Sequence, residues 1–70
     1  MSHHEVLNLF LSFFPREAMD MLTWFPNGKN SIRIRLNDGQ DYVFTINNKK
    51  NWRFETIDSF IERSMKGGKS

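Results

Sequence analysis

The chain has 70 residues, no cysteine, a formal net charge of +2 and an aromatic content of 14%. A domain of this length buries only roughly 60 to 65% of the surface its unfolded form exposes, and without cysteine it is neither a disulfide scaffold nor a thiolate zinc module. Aromatic bulk has to build the core, and the charge excess is small enough that its distribution, not its total, decides what the surface can bind.

Ser2 followed by Glu5 reads as a capping box and predicts a first helix from His3 to Phe13. Val6, Phe10 and Phe13 form one apolar stripe, Leu7, Leu11 and Phe14 the next, and Leu9 widens the arc beyond what one small sheet covers. Pro15 ends that helix, because the residue before proline is pushed out of the helical region. Residues 16–25 read two ways. Ala18, Met21, Leu22 and Phe25 keep helical spacing, whereas Leu22-Thr23-Trp24-Phe25 has strand composition. The reading adopted is a helical turn after Pro15, then a strand from Met21 to Phe25. Pro26-Asn27-Gly28-Lys29-Asn30 turns the chain back, with Asn-Gly supplying positive φ.

The alternation from Ser31 to Thr45 fixes a register. A two-residue loop at Asp38-Gly39 would set Arg33 and Arg35 on one face with Tyr42 and Phe44. A three-residue loop, Asn37-Asp38-Gly39 with Gly39 left-handed, instead places Ile34 opposite Tyr42, Ile32 opposite Phe44 and Arg35 opposite Asp41. The second register is preferred. It gathers Ile32, Ile34, Leu36, Tyr42, Phe44 and Ile46 on a dry face and Arg33, Arg35, Asp41, Val43 and Thr45 on a mixed one. After the polar loop 47–51, Trp52 and Phe54 join the dry face beside Ile46 and Phe44, and Arg53 and Glu55 the other.

Thr56 is a good N-cap for a C-terminal helix, and Asp58 favours its positive end. Ile57, Phe60, Ile61 and Met65 form its stripe, and Gly67-Gly68 is expected to stop it, leaving 66–70 as a frayed tail. The expected fold is one small α+β domain over residues 1–70. It comprises an N-terminal helix, an antiparallel meander of three or four strands, and a C-terminal helix packed on the apolar sheet face. The longest apolar run, Leu9 to Phe14, is far shorter than the ~20 residues of a membrane span. With no basic leader or cleavage site around it, a cytoplasmic protein without a membrane partner is expected.

No catalytic constellation is present. The histidines, His3 and His4, sit at the start of the first helix, away from any nucleophile, and adjacent helical residues do not make a metal site. The acidic pairs belong to turns and helix ends, and neither Asn27-Gly28 nor Asp38-Gly39 is a phosphate loop before a helix. The expectation is a non-catalytic module with no cofactor and no metal. Arg33, Arg35 and Arg53 on the outer sheet face, with Lys29, Lys49 and Lys50 in nearby loops, form a basic set suited to nucleic acid. Asp41 and Glu55 on the same face favour a solvated, ion-paired surface instead. Leu7, Leu9, Leu11, Trp24 and Phe25 form an apolar surplus that admits a protein partner or a homodimer.

From Trp24 to Leu36 (WFPNGKNSIRIRL), then Tyr42-Val43-Phe44-Thr45 and Trp52 to Ile61 (WRFETIDSFI), the chain resembles small uncharacterised proteins of phages and integrated mobile elements of Gram-positive bacteria. That resemblance implies a mobile-element accessory protein in a bacterial host, and it carries over no functional residue. Three strands followed by a helix is also similar to the arm-site DNA-binding domains of some integrases, a fold analogy. Nucleic-acid contact through the basic sheet face is the leading functional expectation. The alternative is an inhibitory or anti-defence protein acting through an apolar or sheet surface.

Overall fold

The protein is described by a computed structural model covering residues 2–69, with side chains as far as Arg63. Helix α1 (His3–Phe13) and the one-turn helix α2 (Pro15–Met19) lead into four strands, β1 (Met21–Pro26), β2 (Ser31–Leu36), β3 (Asp41–Asn48) and β4 (Asn51–Thr56). Helix α3 (Ile57–Lys69) follows. The strands form one antiparallel meander in the order β1-β2-β3-β4.

The local signals act as their chemistry requires. Ser2 Oγ accepts the Glu5 amide at 3.2 Å while the Glu5 carboxylate accepts the Ser2 amide at 2.8 Å, closing the capping box. That contact, with the Ser2 backbone amide foremost, holds the Glu5 carboxyl below its usual range. Phe14 leaves the helical region at φ −130° and ψ 66°, and Pro15 then starts α2, where a missing amide costs nothing. The ambiguous stretch resolves into both readings, α2 followed by β1. Gly28 at φ 101° and Asn30 at φ 56° make the first turn.

The β2–β3 connection is the three-residue loop, with Gly39 at φ 85°. Ile34 faces Tyr42, Ile32 faces Phe44 and Arg35 faces Asp41. Across β3–β4, Phe44 pairs with Phe54 and Ile46 with Trp52. At the β3–β4 turn Asn48 Oδ1 accepts the amides of Lys50 and Asn51, an Asx turn that closes the hairpin tightly.

The core lies between α1 and the dry sheet face. Val6 and Phe10 are buried against Ile32, Ile34, Leu36, Phe44 and Ile46. Phe10 stands in the middle of the rings, with centroids 5.6 Å from Phe14, Phe44 and Phe54. At the first turn His3 Nε2 hydrogen-bonds the Gly28 carbonyl at 2.7 Å, and His4 meets Trp24 edge-on. At the far end of α1, Phe13 and Phe14 meet Trp52. The helix therefore crosses the sheet from the β1 side to β4.

One packing detail differs from the sequence expectation. The helix that covers the apolar face is α1, whereas α3 meets β3 and β4 with Arg63 paired to Glu55 on the opposite face. Residues of α1 already pack the dry face, and α3, whose start is capped by Thr56 Oγ1 on the Ser59 amide, pairs with Glu55 on the outer one. Val43, which projects from this outer face, is fully buried and lies outside the aromatic core, although such a face would ordinarily be wet. Helix α3 continues to Lys69, past the Gly67-Gly68 pair at which a stop is expected. The Met65 and Lys66 side chains, and Ser70, lie outside the described residues.

Candidate nucleic-acid interface

Strand alternation places Thr23 and Phe25 of β1, Arg33 and Arg35 of β2, Asp41, Val43 and Thr45 of β3, and Arg53 and Glu55 of β4 on the outer face. Arg35 stands directly across from Asp41, and Arg33 reaches the same carboxylate diagonally. The Arg35 Nε donates to Asp41 Oδ1 at 2.8 Å and its Nη2 to Oδ2 at 3.1 Å, while Arg33 Nε donates to Oδ2 at 2.8 Å. Hydrogen bonds from Arg35, then from Arg33, hold the Asp41 carboxyl down to about 2, against the desolvation that opposes ionisation. The same bond raises the Arg35 guanidinium above its ordinary value. Arg35 also lies over the Phe25 ring, 5.8 Å from its centroid. Two expected site arginines are thus bound to one buried carboxylate.

Arg53 is placed differently. It lines a cleft of about 250 Å³ with Thr45, Asn47, Asn51, Trp52 and Arg63. Among the described residues no carboxylate pairs with Arg53. Arg63 enters from α3 and is held by Glu55, with its Nε 3.3 Å from Oε1 and its Nη2 on Oε2. That contact raises the Arg63 guanidinium. Three of the five guanidinium N–H donors of Arg63 remain beyond these two bonds. Ser31 and Thr45 hydroxyls meet at 3.0 Å at the floor of the same end.

The meander also sorts the lysines. In an up-and-down sheet the β1–β2 and β3–β4 turns lie at one end, so Lys29, Lys49 and Lys50, all exposed, stand at the end that carries the cleft. The β2–β3 turn, with Asp38, lies at the other, where the Asn37 amide bonds the Asp20 carbonyl at 2.8 Å. The structure therefore sets Arg53, Lys29, Lys49 and Lys50 at one end of the sheet and leaves Arg33 and Arg35 with Asp41. Arg63, which the sequence reading left out of the basic set, also lines the cleft. The readable signal was a glutamate just before the cap and an arginine two turns into the helix.

The apolar set divides as well. Leu7, Leu9 and Trp24 pack against the core, while Leu11 and Phe25 are 38% and 41% exposed. Met19 and Leu22, which the sequence did not single out, are 86% and 66% exposed; a bulge between Met21 and Thr23 releases Leu22 from the dry face. Among the described residues no three potential ligands could hold a metal, and no helix is long and apolar enough to cross a membrane. Compared with protein-family models, curated proteins and solved structures, the chain matches none of them.

Proposed function

We propose that this protein is a non-catalytic nucleic-acid-binding module, a mobile-element accessory protein acting in the cytoplasm of a bacterial host, and that its contact surface is the basic end of the sheet. The observation that carries the reading is Arg53, a cation without a carboxylate partner among the described residues. It sits in a cleft with a second arginine, beside the exposed Lys49-Lys50 turn. Phosphate oxygens are the acceptors that such a donor-rich surface takes, and each neutralised phosphate releases counterions and makes binding depend on salt. Arg33 and Arg35 contribute less in this reading, because neither lines the cleft and the two share the single carboxylate of Asp41.

Titrating a labelled oligonucleotide at several salt concentrations tests it. Binding is expected to weaken steeply from about 50 to 200 mM salt. Arg53→Ala should lower both affinity and the salt slope, and Arg33→Ala should change them less. Absence of binding to DNA and RNA at low salt would remove the reading. A second reading, a protein-binding inhibitor, is favoured by Met19, Leu22 and Phe25 standing exposed around β1. It would be supported if a defined partner bound the chain and Leu22→Ser abolished that binding while Arg53→Ala did not.

A further inference from the structure

We infer that the cleft between the β3–β4 hairpin and α3 seats one backbone phosphate of a single-stranded nucleic acid, between the guanidiniums of Arg53 and Arg63. This rests on the basic end being a nucleic-acid surface; it adds the form of the strand and the place where one phosphate is held.

Three observations converge. The first is chemical. The cleft is lined by two guanidiniums, the carboxamides of Asn47 and Asn51, the Thr45 hydroxyl and Trp52, with no carboxylate among them. Every polar side chain in that lining donates hydrogen bonds, and paired guanidiniums fit phosphate oxygens better than ammonium groups do. Glu55 stands behind Arg63 and grips two of its N–H groups, so the fork is held in place before a ligand arrives. A held fork loses less freedom when it binds.

The second observation is size. At roughly 30 Å³ per water, a cleft of about 250 Å³ holds about eight waters, enough for a phosphate group with part of its sugar.

The third is access. Helix α3 stands against the outer side of β3 and β4, where it contributes Arg63 to the cleft and buries the Glu55 carboxylate. A sheet laid into a major groove about 12 Å wide needs that face clear. A duplex can present its outer phosphates to such a recess, but it offers a base beside them only by unstacking it. A single strand does so at little cost. Trp52, 45% exposed at the edge of the cleft, offers a ring for a neighbouring base, the arrangement that sequence-tolerant single-strand binders use.

The test uses the full chain and measures fluorescence anisotropy with a labelled oligothymidylate, the corresponding duplex, and inorganic phosphate as competitor. The single strand is expected to bind at least about tenfold more tightly than the duplex at equal salt. Arg53→Ala and Arg63→Lys should each cost about tenfold toward the single strand, one charge-assisted contact being worth about that much. Arg63→Lys keeps the charge and loses the fork, so circular dichroism should show an intact fold. Millimolar phosphate should displace the strand from the wild type more than from Arg53→Ala. Equal or tighter binding of the duplex, with Arg53→Ala affecting both forms alike, would overturn the single-strand seat and leave the basic end as a general nucleic-acid surface. Phosphate binding without strand binding would overturn it in favour of a free-phosphate site. No binding of either nucleic acid would overturn both this inference and the reading it rests on.

Discussion

Asp41 is one carboxylate between two guanidiniums, buried although it lies on the polar side of the sheet. Its pairing with Arg35 could be read from the sequence, because the turn length fixes which residues stand opposite. The Arg33 contact could not, since it depends on a long side chain leaning one residue pair along the strand to a better acceptor. The shared carboxylate also gives the fold a pH signature. Its folded value, about 2, lies below the ordinary 3.8, so folding favours the ionised form. The stabilisation is complete above about pH 4 and is lost as the pH falls from there toward 2. In thermal melts across that window the wild type should lose stability more steeply than Asp41→Asn, which has no proton to take up there. At neutral pH Asp41→Asn should already be the less stable protein. Parallel profiles for the two proteins would show that Asp41 does not couple folding to protonation.

The strands and turns were the most legible elements. A strand has a period of two, so one correct turn settles the face of every residue in β2 and β3, and then of β4 through Trp52 and Phe54. Gly39 is the residue on which that register depends. At φ 85° it occupies the left-handed region, and a Cβ built there meets no atom within 4 Å. The cost of a side chain at this position is therefore conformational, with no clash to add. Gly39→Ala should destabilise the protein by about 1 to 2 kcal/mol, and Gly39→Asn by less, because asparagine visits this region more readily. Urea unfolding of the three proteins checks both the size and the order. The face chosen by α3 was less legible. Ile57, Phe60 and Ile61 make an amphipathic stripe that any apolar surface could receive, and nothing in the stripe tells one side of the sheet from the other. The rings of α1 fill the dry face, and Glu55 offers Arg63 a partner on the outer one.

At the scale of the molecule, two separations emerge that composition could not reveal. Lysines of two turns and the cleft arginines gather at one end of the sheet, so a net charge of +2 understates the local field. The aromatic residues other than Phe25 and Phe60 gather on the opposite face, around Phe10, which touches three other rings and is fully buried. The Phe10 core and the Arg53 cation therefore lie on different faces of one sheet, and substitution at these two positions should separate stability from binding. A core of this size supplies only about 3 to 5 kcal/mol of net stability. Removing a buried phenylalanine ring costs about 3 to 5 kcal/mol, in transfer energy and in the cavity left behind. Phe10→Ala should consequently consume nearly all the stability of the domain, and circular dichroism should show no cooperative melting transition above room temperature. Phe10→Leu, which refills most of the space, should melt cooperatively at a lower temperature than the wild type. Arg53→Ala, on the other face, should keep the wild-type melting temperature while losing affinity for nucleic acid. If Phe10→Ala retained a cooperative melt close to the wild type, the rings around it would not be the centre of the core. A matching loss of melting temperature in Arg53→Ala would show that the two faces are not independent.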